Sequence, residues 1–198
     1  MKLIDLFKQQ VVIKGSIGIP CQTTMLAGYK HKSKPIAQGK VLGDFYCSKT
    51  NITSLKQGPS WVGGNFSCHD TKITSLEGGP SYVGGNFSCY GTNITSLEQV
   101  PSWVGGHFNC VVTKITSLHN IHKQIKHIGG QLYLSNTVKS HILGVMFITG
   151  LDKIEIDKGN KIQKQVENII NKHLADDRNV HLVQEELLEA GLKEFAKL

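Results

Sequence analysis

Residues 43–62 read GDFYCSKTNITSLKQGPSWV, and the chain then writes nearly the same line twice more, as GNFSCHDTKITSLEGGPSYV over 64–83 and GNFSCYGTNITSLEQVPSWV over 85–104. A fourth copy, GHFNCVVTKITSL, starts at Gly106. Phe45, Phe66, Phe87 and Phe108 fall 21 residues apart, as do Cys47, Cys68, Cys89 and Cys110. A degraded fifth copy begins at Gly130, with Leu132 and Leu134 in the Phe and Cys places and Thr137 closing it; an insertion follows Leu118. A fixed short period of this kind means a solenoid, in which each unit buries its apolar side chains only by stacking on its neighbours.

The unit is G-x-F-x-C-x-x-T-x-I-T-S-L-x-x-x-P-x-x-V-G. F-x-C alternates with period two, which predicts a short strand with Phe and Cys facing inward and the residue between them facing outward. The Thr that follows begins a turn, and its hydroxyl is suited to bond the backbone left unpaired there, once per coil, at Thr50, Thr71, Thr92 and Thr113. Ile52, Ile73, Ile94 and Ile115 with Leu55, Leu76, Leu97 and Leu118 supply the core from the second edge. Pro59, Pro80 and Pro101 keep the return path extended, and the Gly-Gly pairs at 63–64, 84–85, 105–106 and 129–130 are expected to permit a sharp corner. The predicted architecture is a repeat solenoid with one parallel β ladder and short extended connections on the convex side, its coils about 4.8 Å apart.

The segment F-x-C-x-x-T-x-I resembles the leucine-rich-repeat signature L-x-L-x-x-N-x-L, and I-T-S-L-x-x-x-P is similar to the short repeats of bacterial effector-type leucine-rich proteins. Thr stands where Asn is usual, and V-G-G-x-F replaces the usual approach to the strand. With its helical tail, the whole chain resembles leucine-rich-repeat proteins of large tailed bacteriophages. That resemblance implies a recognition scaffold at work in the cytoplasm of an infected host cell, such as one that blunts a host factor; it does not imply one particular partner.

The flanks divide the chain into residues 1–42 as an N-terminal cap, 43–137 as the solenoid and 138–198 as a C-terminal cap of strand and two helices. In the first, VVIKGSIGIP suggests a strand and turn, and the basic tract YKHKSKP at 29–35 reads as a loop. In the last, HILGVMFITGLDKIEI suggests one or two strands adding an irregular coil. NKIQKQVENIINKHL then places Ile162, Val166, Ile169, Ile170 and Leu174 at helical spacing, and the final segment does the same with Leu182, Leu187, Leu188, Leu192 and Phe195.

Net charge is +7, from 22 Lys and Arg against 15 Asp and Glu. It is unevenly spread: residues 1–150 carry 14 Lys and 5 acids, and residues 151–198 carry 8 cations and 10 acids. Arg178 is the only arginine, so the basic surface consists of point charges rather than bidentate forks. Such a surface attracts nucleic acid or an acidic protein. No apolar run is long enough for a membrane span, and Asp5 interrupts what would be a secretory h-region, so a cytoplasmic, reducing setting is expected and no membrane association.

No nucleophile elbow, phosphate loop, dinucleotide fingerprint or H-E-x-x-H occurs, and the unpaired Cys21 and His31 make no catalytic constellation, so no enzyme activity and no cofactor are expected. Four thiols in a line do not make the tetrahedron of a zinc site, and no C-x-x-C is present, so the Cys column reads as core. His119, His122 and His127 cluster in the insertion, but a metal there is not expected. The least constrained positions are those between and beside Phe and Cys. They nominate Tyr46, Ser48, His69, Ser88, Tyr90, His107, Asn109 and Tyr133 as a protein-binding face, aromatics beside adaptable polar groups. The expected function is a protein interaction module, an adaptor or inhibitor. The alternatives are nucleic-acid binding through lysines of the N-terminal segment and repeats, or a component of virion assembly.

Overall fold

A computed structural model describes residues 12–19, 30–31, 34–35 and 39–198. Numbered in chain order, strands β1 (Val12–Ile13), β5 (Lys40–Val41), β7 (Trp61–Val62), β9 (Tyr82–Val83), β11 (Trp103–Val104) and β13 (His127–Ile128) form a parallel 6-stranded sheet. Strands β2 (Ile17–Gly18), β6 (Phe45–Tyr46), β8 (Phe66–Ser67), β10 (Phe87–Ser88), β12 (Phe108–Cys110), β14 (Gln131–Leu134) and β15 (Lys153–Ile156) form a parallel 7-stranded sheet. The chain is a parallel β-solenoid, and each coil gives one short strand to each sheet. The first is the W-V segment that the sequence marked only as extended return path.

The solenoid also starts earlier and ends later than residues 43–137. Val12 pairs with Lys40 and Ile17 with Phe45, so the described part of the N-terminal segment is itself a coil. Its K-G-S-I-G-I repeats the G-G-N-F-S-C pattern with Ile in the Phe and Cys places. At the other end Leu132 pairs with Ile154, which adds the last irregular coil. In the 29–35 tract, β3 (Lys30–His31) pairs antiparallel with β4 (Lys34–Pro35). The rest of that tract, the opening residues 1–11 and Cys21 lie outside the described residues.

In the interior, identical side chains stack. Phe66 lies 5.6 Å from Phe45 and 5.3 Å from Phe87, with planes tilted by only 12° and 7°. Phe108 turns edge-on to Phe87 at 5.0 Å. Val62, Val83 and Val104 face the same core from the other sheet and are fully buried. Each Thr closes its turn as expected: Thr50, Thr71, Thr92 and Thr113 donate to the carbonyls of Cys47, Cys68, Cys89 and Cys110 at 2.6 to 2.8 Å. The thiols donate across the coils in turn, Cys47 Sγ to the Ser67 carbonyl at 3.5 Å and Cys110 Sγ to that of Tyr133 at 3.1 Å.

The Gly-Gly corner has a different cause from the one expected. These glycines do not adopt left-handed backbone; among the described glycines only Gly15, Gly78, Gly91, Gly150 and Gly191 do. The constraint is the approach of the next coil: a Cβ at Gly84 would sit 2.2 Å from the Gly63 carbonyl oxygen, and one at Gly105 equally close to that of Gly84. Glycine is required because there is no room for a methyl group between coils.

After the last coil come α2 (Lys161–Ala175) and α3 (Val180–Glu189), preceded in the insertion by a short α1 (Ile121–Gln124). Asn160 opens α2 with a capping box shared with Gln163. Its buried face includes the expected Val166, Ile169, Ile170 and Leu174, but also Gln163 and Glu167, while Ile162 is exposed. The polar members satisfy backbone beneath the helix: Glu167 accepts from Ile156 N on the open sheet edge at 2.8 Å, and Gln163 Nε2 donates to the carbonyls of Asn136 and Val138 in the turn after β14. In the final segment Val183, Leu187, Leu192 and Phe195 are buried, whereas Leu182 and Leu188 are exposed. Arg178, between the helices, donates to the carbonyls of Ile148 and Leu151, tying the helical hairpin to the end of the coil stack.

Candidate functional site

The outward face of the 7-stranded sheet carries most of the nominated residues, in two neighbouring columns. Strand register aligns Tyr46, Ser67, Ser88, Asn109, Tyr133 and Glu155 in one of them. Backbone bonds from Lys49 to His69 and from Asp70 to Tyr90 continue the second, which starts at Ser48. Tyr46 is 41% exposed and Tyr90 39%. Burial, then the Asp44 carboxylate beside it, hold the Tyr46 phenol above its ordinary 10.0. The polar residues between them are partly occupied. Ser48 Oγ donates to Ser67 Oγ at 2.8 Å, Asn109 Oδ1 accepts from Val111 N at 3.0 Å, and Tyr133 donates to Gln131 Oε1 at 2.7 Å. His69 Nδ1 lies 3.1 Å from Asp70 Oδ2. Ser67, Val111 and Ser135, outward by alternation, are buried; Ser135 Oγ donates to the Thr113 carbonyl at 3.3 Å.

His107 does not belong to either column. It stands at the corner, in a chain of bonds that the sequence did not reveal. Asp44 Oδ1 accepts from Asn65 N at 2.7 Å, Asn65 Oδ1 from Asn86 N at 2.8 Å, Asn86 Oδ1 from His107 N at 2.7 Å, and His107 Nδ1 from Gln131 N at 2.9 Å. Each side chain thus caps the backbone of the following coil. His107 Nδ1 must be unprotonated to accept, so the proton of the neutral ring sits on Nε2.

The outer face of the 6-stranded sheet, across the Gly-Gly corner, carries a feature that sequence reading missed altogether. Trp61, Tyr82, Trp103 and His127 are adjacent in register and stack along the solenoid. Ring centroids are 5.1 Å apart for Trp61 and Tyr82, 6.3 Å for Tyr82 and Trp103, and 3.9 Å for Trp103 and His127, with planes within 19° of parallel. Trp103 is 42% exposed. Lys40 Nζ lies over Trp61, 5.8 Å from the ring centroid, and His127 Nδ1 is 3.0 Å from Thr149 Oγ1. A Cβ at Gly63 would meet the far edge of the Trp61 indole at 2.8 Å, so the ring leans over the bare corner. The signal was available in the S-[WY]-V-G-G motif, whose aromatic recurs with the period of the unit.

The three histidines of the insertion go separate ways. His119 Nδ1 lies 3.2 Å from the Leu198 carbonyl oxygen, His122 packs against Phe147 at 5.4 Å, and His127 joins the aromatic stack. Burial, then the charges of Lys123 and Lys126, lower the His122 pKa below its ordinary 6.5. Among the described residues no group of three or more His, Cys, Asp or Glu is placed to hold a metal ion. No described helix is long and apolar enough to cross a membrane.

No family model, no curated protein and no solved structure matches the chain. The fold and its surfaces define its class: a parallel β-solenoid with a helical C-terminal cap and two structured outer faces.

Proposed function

We propose that the chain is a non-enzymatic recognition scaffold whose protein partner docks on the outward face of the 7-stranded sheet. The observation that carries this reading is the pair Tyr46 and Tyr90. Both are large and exposed, Tyr46 on β6 and Tyr90 in the turn two residues beyond β10, with the small Ser67 and Ser88 following Tyr46 in register, an arrangement suited to anchoring a partner. The four column thiols belong to the core, which leaves that face with hydroxyl, amide, imidazole and phenol groups for contact, beside the carboxylates of Asp70 and Glu155. The likeness of the whole chain, repeats and helical tail together, to leucine-rich-repeat proteins of large tailed bacteriophages adds a setting: an adaptor or inhibitor acting in the cytoplasm of an infected cell.

The test is affinity capture from phage-infected host cells with three proteins in parallel: wild type, Tyr46→Ala/Tyr90→Ala, and Leu182→Ser on the exposed side of α3. A protein retained by wild type and Leu182→Ser but lost from the double variant supports the reading. Equal recovery on all three removes this face from consideration.

A further inference from the structure

We propose that the segment docking on the tyrosine face is proline-rich: a polyproline II stretch whose rings pack on Tyr46, Tyr90 and Tyr133 while its carbonyls accept from Asn86 Nδ2, His107 Nε2 and Asn109 Nδ2. The inference rests on the docking reading above and names the chemistry of the partner.

The donors follow from bonds already committed to the fold. A backbone N–H can only donate, so the side-chain atom that faces one must be an acceptor. Asn86 Oδ1 is held by His107 N, Asn109 Oδ1 by Val111 N, and His107 Nδ1 by Gln131 N. What each side chain has left is N–H: the NH2 groups of the two asparagines and the Nε2 proton of His107. Asn86 and His107 are exposed, and Asn109 is half-buried. The centre of the face thus offers nitrogen donors whose acceptor halves are spent. None of its outward residues Asn86, Ser88, Tyr90, His107 and Asn109 carries a carboxylate or an ammonium group.

Hydrogen-bonding character decides between occupants. An ordinary extended segment would set its own N–H groups against these donors, and a glycan hydroxyl brings a proton to each contact. A carboxylate would approach between Asp44 and Asp70 on one side and Glu155 on the other. Consecutive prolines present carbonyls with no N–H, are uncharged, and hold their conformation before binding, so that little entropy is lost.

Spacing agrees with this choice. Register sets Tyr46, Ser67, Ser88, Asn109 and Tyr133 on successive coils, and Tyr90 lies on the coil of Ser88, so the tyrosines stand on alternate coils. Two coils span about 9.6 Å. One three-residue turn of polyproline II advances by about 9.3 Å. A ligand lying along the solenoid therefore returns the same side to each tyrosine in turn. At that separation no tyrosine covers another, and Tyr46 and Tyr90 are exposed. Val112, exposed on the coil after Tyr90, extends the apolar surface.

The test is an NMR titration of the ¹⁵N-labelled protein with decaproline. The side-chain NH2 signals of Asn86 and Asn109 should shift together and saturate, while that of Asn168, exposed on α2, stays in place. Asn86→Asp keeps the oxygen that holds His107 N and exchanges the NH2 for a second oxygen. With its fold read from the same spectra, it should bind about fivefold or more weakly, on the order of one hydrogen bond. Asn168→Asp adds the same charge on the cap and should bind as wild type does. Unmoved Asn86 and Asn109 signals overturn the proposal, as does Asn86→Asp binding decaproline like wild type. So do equal shifts from a Gly-Ser decapeptide, or from a neutral cello-oligosaccharide, which would make this a glycan site. A partner captured through Tyr46 and Tyr90 with no response to decaproline overturns this inference alone; equal recovery in the capture experiment removes the docking reading and this one with it.

Discussion

The side-chain amide of Asn171 takes up both backbone groups of Ile154, with Oδ1 accepting from Ile154 N at 2.8 Å and Nδ2 donating to Ile154 O at 2.9 Å. A helix residue here imitates the strand that would come next. With Glu167 on Ile156 N, it closes the last edge of the 7-stranded sheet, which would otherwise be a template for another chain. Asn171→Leu leaves a donor and an acceptor without partners, at about 1–3 kcal/mol for each group that water does not reach. At roughly 2–4 °C per kcal/mol for a chain of this size, the melting temperature should drop by several degrees, with concentration-dependent association in light scattering. An unchanged melt in a monodisperse sample would show that the amide pairing does not hold the edge.

His107 is exposed and aromatic, features that nominate it as a contact, yet its Nδ1 holds the backbone of the next coil as Asn86 and Asn65 do one and two coils earlier. His107→Asn should therefore keep the corner bond and leave stability within about 0.5 kcal/mol, the usual range for a surface change. His107→Ala should cost about 1 kcal/mol through the lost bond. Urea denaturation separates the two; equal losses would reject the corner role.

The thiol column gives a dependence on pH with a definite sign. Burial pushes Cys47 and Cys110 up to about 12 from an ordinary 9.0, and raises Cys68 and Cys89 well above it. Above pH 9 the unfolded chain releases these protons and the folded chain keeps them. The unfolded state is then favoured, and stability falls by about 1.4 kcal/mol per pH unit for each thiol until its folded pKa is reached. In a Cys21→Ser background, the urea midpoint should fall from pH 8.5 to pH 10, and fall less steeply in Cys68→Ala, which lacks one of the titrating groups. Equal slopes would contradict the burial, as would rapid reaction of the native thiols with Ellman's reagent at pH 8.

The inward half of this molecule is written in its sequence, because Phe, Cys, Ile and Leu recur with a period that only stacking explains. The Thr column was legible for the same reason. Strands such as Trp61–Val62 were not, since two residues are too few to display alternation and they sit between proline and glycine, which otherwise signal a turn. The corner bonds of Asn65, Asn86 and His107 join residues one coil apart, and polar residues on a surface give no sign that a backbone group 21 or 24 positions away depends on them. Gln163, Glu167 and Asn171 were hidden similarly: helical periodicity ranks apolar faces, whereas the strand edge and the turn after β14 that α2 covers demand donors and acceptors. Val183 replaced Leu182 in the buried stripe because the rotation of α3 is set by what it packs on, not by its richest apolar arc.

The absent methyl groups at Gly63, Gly84 and Gly105 make the array behave as a ruler. With nothing compressible between rungs, lengthening the protein means adding a whole rung, and everything displayed outside advances by one fixed step. Duplication of a single unit would therefore extend every outer column together, so that reach is adjusted by counting units while the contacts of each rung stay as they were.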